Sequence, residues 1–232
     1  MQRKLIFMHK KWLKSYYWHS SCTKNSMNAM IKKLHSNIRV VVFDLDGTLY
    51  SKHGMVRRML FSSPLDWRKM LADRQTRKQL RGKWLKNKDM FYRTYFQTMA
   101  LHCSSTPDIM REWYFDTYMP LMVSVIKKYY SIAAWVRPFI NQCKKRGIRL
   151  VILSDYGHTH EKLAALGLDI KMFDWVVSAP ELGGLKPAAQ LMNKVAERMM
   201  VTPQDCLVVG DREDTDGAMA QAVGATFYLV EQ

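Results

Sequence analysis

Five short runs of the chain are apolar at every position or nearly so: 38–43 (IRVVVF), 148–153 (IRLVIL), 174–178 (DWVVS), 206–210 (CLVVG) and 226–230 (TFYLV). Unbroken runs of this length suit strands buried on both faces of a parallel sheet, whereas alternating runs suit a half-exposed one. Between the later runs the period changes. Residues 160–166 (HEKLAAL), 187–200 (PAAQLMNKVAERMM) and 215–223 (TDGAMAQAV) repeat apolar residues at helical spacing. Pro187 stands at a first helical position, and Gly167 and Gly224 follow the other two segments as stops. Strand and helix in alternation predict an α/β domain with a doubly wound parallel sheet.

The first two apolar runs are separated by a long stretch with no strand pattern. It shows helical periodicity over 65–81, 89–103, 107–130 and 131–146, with Ser105-Thr106-Pro107 as a cap and first-turn proline. The expected organisation is a core of 38–49 plus 147–232, a helical insert at 50–146 and an extension at 1–37.

Charge sharpens this division. The chain of 232 residues has a net charge of +16, and residues 1–39 hold nine Lys or Arg and no acid. The insert is also basic, with Arg57, Arg58, Arg68, Lys69, Arg74, Arg77, Lys78, Arg81, Lys83, Lys86 and Lys88 in its first half. Anionic partners suit both regions, although any single basic residue is as well read as part of a solvated helix face. Leu5, Met8, Trp12 and Tyr16 form one helical stripe in the extension, with lysines flanking it. Such a segment suits docking on its own protein, an acidic membrane surface or nucleic acid. The run LIFM is broken at once by HKK, which predicts no signal-peptide core. No apolar run reaches the ~18 residues of a membrane span. Cys22, Cys103, Cys143 and Cys206 include no C-x-x-C pair, so reduced thiols and a cytoplasmic location are expected.

The candidate chemistry stands at the ends of the apolar runs. VVVF leads into Asp44-Leu45-Asp46-Gly47-Thr48. Residues two apart on a strand share a side, so Asp44 and Asp46 face together at a carboxyl end, where open α/β sheets bind ligands. Two carboxylates there repel unless a proton or cation relieves them, and Mg²⁺ favours such oxygens and phosphates. Further on, LVILSD ends in Ser154 and Asp155, GGLKP carries Lys186, and VVGDREDTD carries Asp211, Asp214 and Asp216. Taken singly, each has a simpler reading: a turn, a helix cap, a solvated lysine, an exposed acidic loop.

Taken in order, DLDGT, ILSD, GLKP and VVGDREDTD resemble the four motifs of the haloacid dehalogenase-like superfamily over about residues 38–230. The resemblance implies a Rossmann-like core of strand order 3-2-1-4-5, with the insert as a helical cap. It implies Asp44 as nucleophile and Asp46 as general acid and base, with Gly47, Thr48, Ser154, Asp155 and Lys186 around the phosphoryl group. It also implies Mg²⁺ held by Asp44, the Asp46 carbonyl and Asp211, with Asp216, or less readily Asp214, orienting metal-bound water. A carboxylate beside Asp46 is expected to raise its pKa and suit it to carry a proton. Members that cleave carbon–halogen bonds lack the second aspartate, so Asp46 argues for phosphate chemistry. The expected activity is a Mg²⁺-dependent phosphatase acting on a small phosphorylated substrate. The alternatives are a phosphomutase, or a nucleic-acid or acidic-lipid binding protein with a vestigial site.

Overall fold

The structure is a computed structural model that describes residues 28–34 and 36–231. The stripe of Leu5, Met8, Trp12 and Tyr16 lies outside the described residues. Five parallel strands form one sheet: β1 (Val40–Phe43), β2 (Arg149–Ser154), β3 (Trp175–Ser178), β4 (Cys206–Gly210) and β5 (Thr226–Leu229), in the order β3-β2-β1-β4-β5. The central strand β1 is in register with β2 from Val40 opposite Arg149 and with β4 from Val40 opposite Cys206.

Alternate residues of the strands feed two cores. Val40, Val42, Val151, Leu153 and Val208 meet Leu191, Met192, Val195 and Met219 on one face. Val41, Phe43, Leu150, Ile152 and Val209 meet Phe139, Ile140, Cys143 and Leu163 on the other. A continuous apolar strand is what burial on both faces requires. The helices that supply these partners are α6 (Val136–Lys145), α7 (Thr159–Ala165), α8 (Ala189–Met199) and α9 (Ala218–Gln221). Helical residues 28–33 add Met30 to the second core.

Between β1 and α6 lie α1 (Met55–Ser62), α2 (Trp67–Leu80), α3 (Lys88–Cys103), α4 (Pro107–Glu112) and α5 (Met119–Tyr129). Most of the aromatic residues here pack on one another: Phe91 stacks on Tyr95, Tyr92 on Phe96, and Trp113 on Tyr118.

Element boundaries differ from the sequence expectation at identifiable points. α1 was not expected; its buried residues are only Met55 and Met59, too few to stand out as a stripe. The single helix expected over 107–130 is α4 and α5 joined by a π turn at Trp113–Tyr118, where the Met119 amide donates to the Tyr114 carbonyl. Pro120 has no amide to donate and its ring crowds the carbonyl four residues back, so the wider turn accommodates it. α6 begins at Val136 rather than 131, because the Ala133 amide donates to the Leu49 carbonyl instead of a helical partner. Pro187 follows a cis peptide bond and precedes α8, which begins at Ala189. The stretch expected as one helix over 215–223 is a π turn, Glu213–Gly217, followed by α9.

One connection matters for the site. Residues 81–87, between α2 and α3, lie antiparallel to the loop that carries Lys186. The Leu85 amide donates to Gly183 O at 2.7 Å, and the Gly82 amide to Lys186 O at 3.3 Å. Gly183 has φ +94°, and a Cβ there would lie 2.6 Å from the Asn87 amide nitrogen, so only glycine lets the two segments approach this closely.

Candidate active site

The four motifs meet at the carboxyl ends of the strands. β1 delivers Asp44, whose amide donates to the Val209 carbonyl and so continues the ladder one residue past the strand. The chain then turns through Gly47 at φ +106°, and a Cβ at that position would collide with Asp211 Oδ2 and lie 2.6 Å from Lys52 Nζ. The left-handed φ is what favours glycine at this turn. The turn brings Thr48 Oγ1 back to donate to Asp44 Oδ2 at 2.8 Å.

Lys186 lies between two carboxylates, with Nζ donating to Asp44 Oδ1 at 2.8 Å and to Asp216 Oδ1 at 2.7 Å. Burial works against its charge, but Asp216, Asp44 and Asp155 outweigh burial and raise its pKa. Burial raises the Asp44 pKa; Lys186 opposes this, and Asp216 and Asp46 add to it. Asp155 accepts the Lys186 amide at 3.0 Å, which fixes the lysine's loop, and burial raises its pKa too. Asp211, just past β4, is paired with Lys52 at 2.6 Å. Carboxyl oxygens of Asp44, Asp211 and Asp216 lie within 4.8 Å of one another. Asp214 lies on the surface against Arg81 and Arg212, and its hydrogen bond from Arg212 leads the causes that lower its pKa to about 2.

Asp46 differs from expectation. It is almost fully buried and accepts from Tyr50 at 2.6 Å, Ser154 at 2.9 Å and Lys162 at 2.8 Å. Burial alone would raise its pKa, but Lys162 and the hydrogen bonds from Lys162, Tyr50 and Ser154 reverse that, and the carboxyl is held below its ordinary value. The expected upward shift belongs to Asp44 instead. Lys162 has no solvent exposure, and burial lowers its own pKa against the pull of Asp46.

Sequence reasoning missed Lys162, Tyr50, Lys52 and Arg77 as members of this site. Arg77 reaches from α2 to the β2 tip: Nη1 donates to Asp155 O at 2.8 Å, and the guanidinium lies 3.8 Å from the Tyr156 ring centre. It also pairs with buried Asp73. His158 and His160 line a separate cavity of ≈ 240 Å³ with Lys88, Tyr92, Phe115 and Glu181.

A parallel sheet of this order, with two aspartates at the tip of its central strand, is an open α/β fold with its candidate site at the carboxyl edge. Residues 38–224 match the family model of haloacid dehalogenase-like hydrolases, and the chain belongs to that family. It is 27% identical over 207 residues to a glyceraldehyde 3-phosphate phosphatase of Methanothermobacter thermautotrophicus, covering 83% of this chain and 85% of that one. Among solved structures, the HAD-hydrolase YfnB of Bacillus subtilis bound to magnesium superposes with a TM-score of 0.57 at 13% identity, over 83% of this chain and 88% of that one. The 2-haloacid dehalogenase of Pseudomonas syringae superposes with a TM-score of 0.56 at 18% identity, over 83% and 86%. At these identities the structures establish the shared fold; the residues at the strand tips must carry any further distinction.

Proposed function

We propose that the chain is a Mg²⁺-dependent phosphatase that hydrolyses a small phosphomonoester through an aspartyl-phosphate on Asp44. The observation that carries this reading is the convergence of Asp44, Asp211 and Asp216 from two adjacent strand tips to within 4.8 Å. A hard divalent ion suits such an all-oxygen set, and the Asp46 carbonyl, already in contact with one cation, Lys52 Nζ, at 3.1 Å, completes it. When bound there, the ion would supply charge neutralisation at the transferring phosphoryl group.

This chain's residues do the rest. An Asp44 carboxylate oxygen attacks phosphorus; the new O–P bond forms as the bond to the leaving oxygen breaks. Asp46 gives that oxygen its proton, then takes one from the water that cleaves the aspartyl-phosphate and restores Asp44. Asp46 starts ionised under Lys162; a phosphate dianion arriving beside it raises its proton affinity, and it takes from solvent the proton that it gives in the first step. Ser154 and Thr48, on turning their hydroxyls from Asp46 and Asp44, would receive phosphoryl oxygens with the Gly47 turn, and Lys186 would neutralise charge beside the nucleophile. Asp155 acts through the Lys186 loop, and Asp216 supports the metal in preference to solvent-facing Asp214. Residues 50–146 serve as a cap over the crevice, tied down by Arg77 and residues 81–87.

Similarity to the archaeal phosphatase supports a phosphorylated metabolite of triose size as substrate. The test is phosphate release from p-nitrophenyl phosphate. Activity stopped by EDTA, restored by Mg²⁺ and abolished in Asp44→Asn with the fold intact is the expected result. Full activity in chelator, or a near wild-type rate in Asp44→Asn, would overturn the reading. A requirement for a bisphosphate activator would favour a phosphomutase.

An additional contact with acidic lipid is supported by the α1–α2 corner. Phe61, Leu65 and Trp67 are 81%, 93% and 51% exposed there, beside exposed Arg57 and Arg68. Apolar insertion plus positive charge is the chemistry of an anionic bilayer surface. Loss of binding to phosphatidylserine vesicles on Phe61→Ser and Leu65→Ser is expected; unchanged binding would remove this contact. The free thiols of Cys103, Cys143 and Cys206 fit a cytoplasmic location, and among the described residues no helix is long and apolar enough to cross a membrane.

A further inference from the structure

Two lysines of the crevice are sealed inside it, and a third is not. Lys162 and Lys186 are buried, and neither can leave its partners, Asp46 for the one and Asp44 and Asp216 for the other, without unpairing them in the core. Lys52 reaches in from outside, with a side chain 44% exposed. Its Nζ lies 2.6 Å from Asp211 Oδ2 and 3.1 Å from the Asp46 carbonyl oxygen. Those two oxygens, one from the β1 tip and one from the β4 tip, belong to the set that would hold the divalent ion. An ordinary surface pair has one carboxylate partner and free rotation. This ammonium bridges two strand tips across the face of Gly47, where a Cβ would lie 2.6 Å from Nζ. A compact ammonium with three donors is suited to such a position, since it meets several oxygens from one point.

We infer that Lys52 is a resident cation of the site, which competes with the divalent metal for Asp211 and the Asp46 carbonyl and swings to solvent when the metal enters. The inference rests on the metal reading above. Lys52 thereby keeps the two strand tips from repelling and sets the threshold of metal concentration at which the site loads. Its exposed stem makes exchange possible without disturbing the core.

Full-length wild type and Lys52→Met are titrated with Mg²⁺ by calorimetry at low salt and at about 0.5 M salt, where through-space charge effects are largely screened. At low salt the variant should bind roughly fivefold more tightly, the worth of one competing exposed ion pair, and the difference should narrow at high salt as that pair is itself screened. In the same protein, amine acylation followed by mass spectrometry should show Lys52 labelled faster when Mg²⁺ is present. Equal affinity of the two proteins at low salt, or Lys52 labelling unchanged or slowed by Mg²⁺, would each overturn the competition while leaving the metal reading in place. Absence of Mg²⁺ binding by both proteins would overturn the two together.

Discussion

Replacing Lys162 with methionine isolates the strongest electrostatic contact around Asp46. The ammonium is fully buried, 2.8 Å from Asp46 Oδ2, and among the described residues Asp46 is its one ion-pair partner within 4 Å. Methionine fills similar length without charge, so the change leaves a buried carboxylate with hydrogen bonds from Tyr50 and Ser154 but no counter-ion. Breaking a buried pair from one side costs roughly 3–5 kcal/mol. For a chain of this size, about 3 kcal/mol corresponds to a fall of about 6–12 °C in Tm. The pH dependence gives the cause. Asp46 is held below its ordinary pKa, so its pairing contributes stability above the ordinary value and loses it as pH falls through the lowered one. Without Lys162, burial prevails and raises the pKa. The variant's deficit should be largest at neutral pH and shrink as pH falls and Asp46 takes a proton. Scanning calorimetry of wild type, Lys162→Met, Asp46→Asn and the double variant checks this. The double variant should recover most of the loss, since neither charge is then stranded. A Lys162→Met deficit under about 1 kcal/mol, or a double variant that loses the sum of the singles, would refute the reasoning.

Other outcomes follow from the same geometry. Lys186→Met leaves Asp44 and Asp216 without their shared cation and should destabilise by roughly 3–5 kcal/mol at neutral pH. Asp44 is already raised by burial, and a group raised in the folded state favours folding more as pH falls, so thermal melts should show partial recovery in mild acid. Gly47→Ala places a Cβ against Asp211 and Lys52 at φ +106°; it should cost about 1–3 kcal/mol in denaturant unfolding and abolish most turnover, and a wild-type turnover rate would contradict the close approach. Inorganic phosphate titrated by calorimetry should bind with Mg²⁺ present and give no heat without it; equal affinity in both conditions would contradict the charge argument developed below.

The strands and their tips could be read from the chain because each tip residue interrupts an apolar run: Asp44 after VVVF, Ser154 after LVIL, Asp211 after LVVG. The strand order could not, since nothing in the runs says which neighbours pair; it came from the family motifs. Lys162 was hidden because a lysine beside Leu163 on a short helix reads as a solvent-facing residue. Its burial depends on α7 being turned toward Asp46, 116 residues earlier in the chain. Arg77 was one basic residue among eleven named in the first half of the insert, and only its reach to the Asp155 carbonyl separates it from the rest. The direction of the Asp46 pKa was misjudged for the same reason: the neighbouring carboxylate was visible in sequence, and the cation that overrides it was not.

The charge balance of the crevice links these points. Asp44, Asp46, Asp155, Asp211 and Asp216 are five carboxylates, and Lys52, Lys162 and Lys186 are, among the described residues, the three ammonium groups that contact them or the Asp46 carbonyl. Two negative charges are left over in a mostly buried space, where an uncompensated charge costs several kcal/mol. The raised pKa values of Asp44 and Asp155, led by burial, show that this environment already disfavours the ionised form. A phosphate dianion would double the excess. Protonation could relieve it, but a proton on Asp44 would neutralise the carboxylate that the proposed attack on phosphorus needs. A divalent cation taking the place of Lys52 would lower the excess from two to one and leave Asp44 ionised. The arrangement of carboxylates therefore makes chemical sense as a site that loads its cation before its substrate.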